Sequence, residues 1–274
     1  MSFPGKKLLC TDLDDTLLCG DKSISEGNLS AIRELCRQGH FFAFASGRPV
    51  QSCLPIAREY GFDRLEGFFI IAYNGALIYD CSSSSTVYTK PLERKYLRLV
   101  FDEALRFNIH CHTYDRTNVV CERHTAMLDE YNRVIKMPPV ITDDVCSYLK
   151  VEPLKIICAE LNDRPKLEAF RDHMAPLVEG HLDSVFSSNR LLEYNACGAG
   201  KGAAVLNLCD ILGVKHSDSI ACGDQENDIS MIEDSGIGCS VKNGVEALKE
   251  KADYVTENDN NNDAIAEVIN RFVL

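Results

Sequence analysis

The residues best suited to do chemistry begin at Cys10-Thr11-Asp12-Leu13-Asp14-Asp15-Thr16, where three carboxylates fall within four positions directly after an apolar run. Such a cluster repels itself, and a hard divalent cation is the natural way to hold it together. A solvated acidic turn is the plainer alternative. Three further segments have the same placement, each at the junction of an apolar stretch and a helical pattern. Ser46-Gly47-Arg48-Pro49 offers a hydroxyl and exposed amides at a helix start, the makings of an anion cradle or of an ordinary capped turn. Gly198-Ala199-Gly200-Lys201-Gly202 puts a lysine between glycines, where it can meet a phosphate as a point charge or simply open a helix. The spacing of a nucleotide-binding phosphate loop is not met there. Gly223-Asp224-Gln225-Glu226-Asn227-Asp228 ends the series; Asp224 and Asp228 can converge on one cation, with Asn227 supplying an amide. Each segment alone is ambiguous, but their order (carboxylates, hydroxyl, lysine, carboxylates) predicts one shared site.

Alternating elements are needed to bring these loops together. Lys7–Asp12, Phe41–Ala45 and Phe68–Tyr73 read as apolar strands; Ser23-Ile24-Ser25-Glu26 offers a capping box for a helix carrying Leu29, Ile32, Leu35 and Cys36, and a second helix covers Val50–Tyr60. Near the C-terminus the reading is helix Lys201–Leu212, strand Ser219–Cys222, helix Asn227–Asp234, strand Ile237–Val241, helix Val245–Lys251, strand Tyr254–Thr256 and helix Asp263–Phe272. Strands apolar on both faces, separated by helices, predict an α/β fold with a doubly wound, Rossmann-like parallel sheet. Ligands of such sheets bind outside the carboxyl ends of the strands, which is where the four loops fall.

The rhythm changes from the polar turn at Cys81–Ser85. Helix Leu92–Phe107 precedes candidate strands at 109–115 and 118–123, and helix Arg164–Val178 precedes strands at 182–187 and 190–195. This repeated pattern predicts an inserted α+β cap at 81–193 with an antiparallel sheet of two similar halves, between core segments 1–80 and 194–274.

Composition narrows the function classes. With 274 residues and 45% apolar content the chain can bury two cores. No apolar run approaches the roughly 18 residues that cross a bilayer, and no secretory signal is evident, so a cytoplasmic protein without a membrane partner is expected. A net charge of −12 argues against nucleic acid as a partner. Thirteen cysteines, an odd number without a close-spaced framework, read as reduced thiols. A monomer or small homo-oligomer acting on a small phosphorylated metabolite is the expectation.

Asp12-Leu13-Asp14-Asp15-Thr16 and Gly223–Asp228, together with Tyr73-Asn74-Gly75-Ala76 and Ala252-Asp253-Tyr254-Val255-Thr256, resemble the haloacid dehalogenase superfamily, specifically its Cof-type (subfamily IIB) sugar-phosphate phosphatases. The resemblance covers 6–80 and 194–257. It implies a phosphatase in which Asp12 is the nucleophile, Asp14 the general acid/base, and Ser46 and Lys201 the phosphate ligands, with Asn227 supporting the substrate. It implies Mg²⁺ held by Asp12, the Asp14 backbone carbonyl and Asp224, with Asp228 supporting, and a cap that closes over the substrate. Gly238–Gly244 departs from the small-residue run usual in such proteins, which bears on substrate choice. To donate a proton, Asp14 is expected to have a pKa above that of a free aspartate. A phosphomutase and a non-catalytic phospho-ligand sensor use the same constellation; a receiver domain also places acidic loops around Mg²⁺, but the chain is too long for one.

Overall fold

The computed structural model describes residues 5–274. In chain order the elements are β1 (Leu8–Thr11), α1 (Glu26–Arg37), β2 (Phe41–Ala45), α2 (Val50–Tyr60), β3 (Phe68–Ala72), β4 (Leu77–Asp80), β5 (Ser85–Thr89), α3 (Arg94–Arg106), β6 (His110–Tyr114), β7 (Val119–Cys121), α4 (Ala126–Ile135), β8 (Pro139–Ile141), α5 (Val145–Tyr148) and β9 (Ile156–Ala159). They continue with α6 (Arg164–Val178), β10 (Leu182–Ser188), β11 (Leu191–Ala196), α7 (Lys201–Leu212), β12 (Ser219–Gly223), α8 (Ile229–Asp234), β13 (Ile237–Ser240), α9 (Glu246–Lys249), β14 (Tyr254–Val255) and α10 (Ala264–Phe272). The chain divides into two compact units: one runs to Tyr88 and resumes at Gly200–Leu274, the other is Thr89–Ala199.

In the first unit eight strands form one sheet in the order β14-β13-β12-β1-β2-β3-β4-β5. From β14 to β3 the pairing is parallel, and β4 turns back antiparallel to β3. β1 and β3 are buried throughout because both faces are covered. On one face Leu8, Ala43 and Ile71 pack with Val205, Leu208 and Ile232 from α7 and α8. On the other, Phe42, Phe44, Phe62 and Phe68 form an aromatic cluster, with Phe44 and Phe68 edge to face at 4.8 Å. The chain goes to β2 on one side of β1 and returns to β12 on the other, so β1 marks a topological switch point.

The capping box expected at Ser23 is displaced. Ser25 is the residue that caps α1, accepting from the Asn28 amide, whereas the Ser23 hydroxyl donates to Asp21 at 2.6 Å within the preceding turn. The helix expected from Asn227 starts at Ile229, because Glu226–Asp228 is taken up by a tight turn. The polar segment at Ser82–Ser84 is followed by β5, which extends the first sheet beyond β4.

The second unit holds six strands in the order β10-β11-β9-β6-β7-β8. Both helix-strand-strand groups are present, α3-β6-β7 and α6-β10-β11. They flank β9, a four-residue strand too short to announce itself by period. The sheet is antiparallel except at β7 and β8, which run parallel. That exception corrects the expectation of a wholly antiparallel sheet: α4 lies between the two strands and carries the chain back to the same end, as a parallel pair requires.

Candidate active site

The first unit's register puts the expected residues side by side. Thr11 pairs with Phe44 of β2 and with Cys222 of β12, so Asp12 lies between Ala45 and Gly223, and Ser46 and Asp224 each stand one residue further out. The Asp12 amide donates to the Cys222 carbonyl at 2.9 Å, extending the ladder to the first carboxylate.

Asp12, Asp224 and Asp228 each offer an oxygen within 4.8 Å of the others, and all three residues are buried. Lys201, at the first turn of α7, is fully buried between two of them: its Nζ donates to Asp12 Oδ1 at 2.6 Å and to Asp228 Oδ1 at 2.5 Å. Asp228 Oδ2 accepts from the amides of Asp224 and Gln225 at 3.0 and 3.1 Å. Asp224 accepts from the Thr16 hydroxyl at 2.7 Å and from Gln225 Nε2 at 3.2 Å. Two glycines make these approaches possible. A Cβ on Gly223 would stand 2.5 Å from that of Asp228, and one on Gly75 (φ +99°) would stand 2.3 Å from the Gly200 carbonyl that precedes Lys201.

Two of the three carboxylates thus share one ammonium, and Asp224 lies beside them. Burial, then the charge of Asp228, pushes the Asp224 carboxyl up to about 7. Burial likewise raises Asp12 well above the carboxylate range; Lys201 opposes this, but Asp228, Asp224 and Asp14 reinforce it. Burial by itself would lower Lys201, yet the carboxylates of Asp12 and Asp228 outweigh it and hold the ammonium above its usual range. Surplus negative charge in a buried pocket with oxygen donors fits a hard divalent cation.

Asp14 is placed differently. Leu13–Leu17 forms an irregular turn in which Asp14 is extended and Asp15 left-handed (φ 58°), and the Asp14 side chain lies outside the carboxylate cluster. Both its oxygens are taken by the Arg48 fork, at 2.7 Å each, with Lys22 Nζ at 3.1 Å. Burial alone would raise Asp14, but the hydrogen bonds and charge of Arg48, with Lys22, outweigh it and hold the carboxyl below the usual range. The direction is opposite to the upward shift expected from neighbouring carboxylates and burial, because the guanidinium of Arg48, two residues beyond Ser46, outweighs them with the help of Lys22.

Ser46 is buried at the end of β2, its Oγ accepting from the Arg48 amide at 3.2 Å, and Gly47 follows in the same turn. Asn227 is half-buried, and its side chain makes no hydrogen bond among the described residues. In the divergent segment Asn243 Nδ2 donates to the Asp15 carbonyl at 2.7 Å, and the Asn260 amide donates to Asn243 Oδ1 at 3.0 Å, so this loop braces the acidic turn. Thr16, Arg48 and Gln225 were not singled out beforehand, although all three lie inside the recognised segments. No spacing rule reveals that a guanidinium on one strand-end loop reaches a carboxylate on another.

No helix among the described residues is long and apolar enough to cross a membrane. The model of the haloacid dehalogenase-like hydrolases matches residues 9–269. A Bacillus subtilis protein named 5-amino-6-(5-phospho-D-ribitylamino)uracil phosphatase YcsE is 31% identical over 270 residues, covering 98% of this chain and 96% of that one. A second protein of the same activity name and organism, YitU, is 25% identical over 276 residues, with 97% of each covered. A crystal structure of a haloacid dehalogenase-like hydrolase from Bacteroides thetaiotaomicron superposes with a TM-score of 0.86 at 29% identity, covering 97% of this chain and 99% of that one. A family match over nearly the whole chain, a relative of like length and a shared fold agree: the chain belongs to the haloacid dehalogenase-like hydrolase family, as a phosphoric monoester hydrolase.

Proposed function

We propose that the chain hydrolyses a small phosphate monoester in the presence of Mg²⁺ by way of a phosphoryl group carried on Asp12. The observation that carries this reading is the sharing of one buried ammonium by Asp12 and Asp228 within reach of Asp224. Asp12 and Asp224 would hold the cation together with the Asp14 carbonyl, and Asp228 would support them. Bound there, Mg²⁺ would supply positive charge against the phosphoryl oxygens and the developing negative charge.

The chain's own residues do the rest. Lys201 fixes the Asp12 carboxylate and adds positive charge, and Asp228, held by two amides, fixes Lys201 in turn. The Ser46 hydroxyl, the Gly47 amide and the Asn227 amide group bind phosphoryl oxygens. Asp12 attacks phosphorus in line, and Asp14 protonates the departing oxygen, then takes a proton from the water that opens the acyl phosphate. For the first of these steps Asp14 must exchange its ion pair with Arg48 for a proton as substrate binds.

The phosphorylated ribitylamino-uracil in the names of two relatives is the first substrate to try, and sugar phosphates are the next. We place the protein in the cytoplasm, in keeping with thirteen free cysteines. The test is a panel of these esters assayed with Mg²⁺ and with chelator, on wild type and Asp12→Asn. Phosphate release that survives either chelation or the substitution would refute the reading. An isomerised ester in place of free phosphate would mark a phosphomutase, and tight ester binding without turnover a sensor.

A further inference from the structure

The most suggestive feature outside the candidate active site is a pair of thiols in the second unit. Cys111 of β6 and Cys158 of β9 are direct partners across an antiparallel ladder, and their sulfurs stand 3.9 Å apart. Partners in such a ladder have Cα atoms about 4.5 to 5.5 Å apart, inside the range of about 4.4 to 6.8 Å that a disulfide spans. Only side-chain rotation is then needed to close the gap. Cys158 is buried, whereas Cys111 is half-buried and lines a cavity of about 210 Å³ together with Phe101, Leu105, Glu122 and Arg123. Cys111 is therefore the more exposed residue of the pair and the one a small reagent meets first, with Cys158 beside it on the neighbouring strand.

We propose that Cys111 and Cys158 form a reversible dithiol–disulfide site that takes a low-molecular-weight disulfide as its oxidant. Cys111 gives up its proton and attacks one sulfur of the reagent, whose other sulfur leaves as a thiolate and takes up a proton. The resulting mixed disulfide on Cys111 is then attacked by Cys158, which also loses its proton, and the second thiol is expelled. Two protein thiols and one reagent disulfide become one protein disulfide and two reagent thiols. Burial, followed by the hydrogen bond with Cys158, keeps the Cys111 thiol above its ordinary range. The exchange is therefore slow, on a scale of roughly minutes to hours.

A second close pair shows what the geometry selects. Cys222 and Cys239 are register partners in parallel strands of the first sheet and are both fully buried, so neither is open to the reagent. The full-length protein is incubated with oxidised glutathione, alkylated under denaturing conditions, digested without reduction and mapped by mass spectrometry. The expected result is a peptide linking Cys111 to Cys158 that is lost on reduction, with Cys222 and Cys239 still alkylated. In Cys111→Ser, Cys158 should remain alkylatable after the same treatment. Recovery of both thiols free from natively folded wild type, or of glutathione left on Cys111 with no cross-link, would overturn the proposal.

Discussion

Replacing Thr16 by valine isolates one contact of the proposed metal site. The side chain is fully buried, valine has nearly its shape, and the change removes only the hydroxyl that donates to Asp224 Oδ1 at 2.7 Å. Asp224 keeps its hydrogen bond from Gln225 Nε2 at 3.2 Å, so the carboxylate is loosened and stays in place. A hydrogen bond to a charged acceptor is worth about 1.5 to 3 kcal/mol, a factor of roughly 10 to 150 in a binding constant. Loss of a partner behind a metal ligand typically costs about 10- to 100-fold in metal affinity, which agrees. The assay is phosphate release against Mg²⁺ concentration at saturating ester. Half-saturation should move up about tenfold or more in Thr16→Val, the plateau should be largely recovered at high Mg²⁺, and Thr16→Ser should behave as wild type. An unchanged half-saturation in Thr16→Val would show that Thr16 does not position a metal ligand.

Three other changes test separate parts of the molecule. Gly223→Ala places a methyl 2.5 Å from Asp228 Cβ, and overpacking of this kind costs about 1 to 3 kcal/mol; a denaturant midpoint equal to wild type would refute the crowding argument. Asp14→Asn should slow turnover by about 10²- to 10⁴-fold, while an activated aryl phosphate still gives a burst of phenol because its departure needs no proton; undiminished steady turnover would remove Asp14 from the mechanism. In the second unit, burial lowers His110 to about 4, and His112 is lowered as well. Both imidazoles are neutral when folded and charge more readily when unfolded, so their contribution to stability falls as pH drops from about 6.5 toward 4, by on the order of 3 kcal/mol for His110, while the raised carboxyls of Asp12 and Asp224 in the first unit work in the opposite direction. A stability difference between wild type and His110→Gln that stays constant over that window would contradict this.

The legible and illegible parts of the molecule divide along physical lines. The expected bounds of β2, α2, α6 and α7 match the structure, and the left-handed Gly61 and Gly213 that close α2 and α7 show the physical stop at two of those ends. β9 and β8 escaped because short strands show no period and these two, unlike β1 and β14, lie outside the regular alternation of strand and helix that marks the first unit. At the site, strand-end placement drew attention to Asp12, Ser46, Lys201 and Asp224, which the register of β1, β2 and β12 and the Lys201 ion pairs bring together. Electrostatic partners were not legible. Arg48 lies 34 positions from Asp14, and Thr16 lies 208 from Asp224. A carboxylate's charge environment is set by such distant neighbours, which is why the expected direction for Asp14 was wrong.

Charge balance explains why the site is built as it is. Asp12, Asp224 and Asp228, if all ionised, carry three negative charges against the single charge of Lys201, and Asp14 is matched separately by Arg48 and Lys22. Buried with that surplus, two of the three carboxyls are pushed upward, toward the neutral form. If Asp12 is the nucleophile we propose, its neutral form cannot attack and an ionised set repels a phosphate dianion, so the bare protein would be unsuited to the proposed reaction in either state. A divalent cation bound there would cancel the surplus, favour Asp12 as a carboxylate and leave Lys201 to hold it. A monovalent cation would leave one negative charge uncompensated in a pocket where screening is weak. On this argument Na⁺ or K⁺ at concentrations that saturate the pocket should not replace the divalent ion, and measurable ester hydrolysis with either alone would show that the surplus is handled in another way.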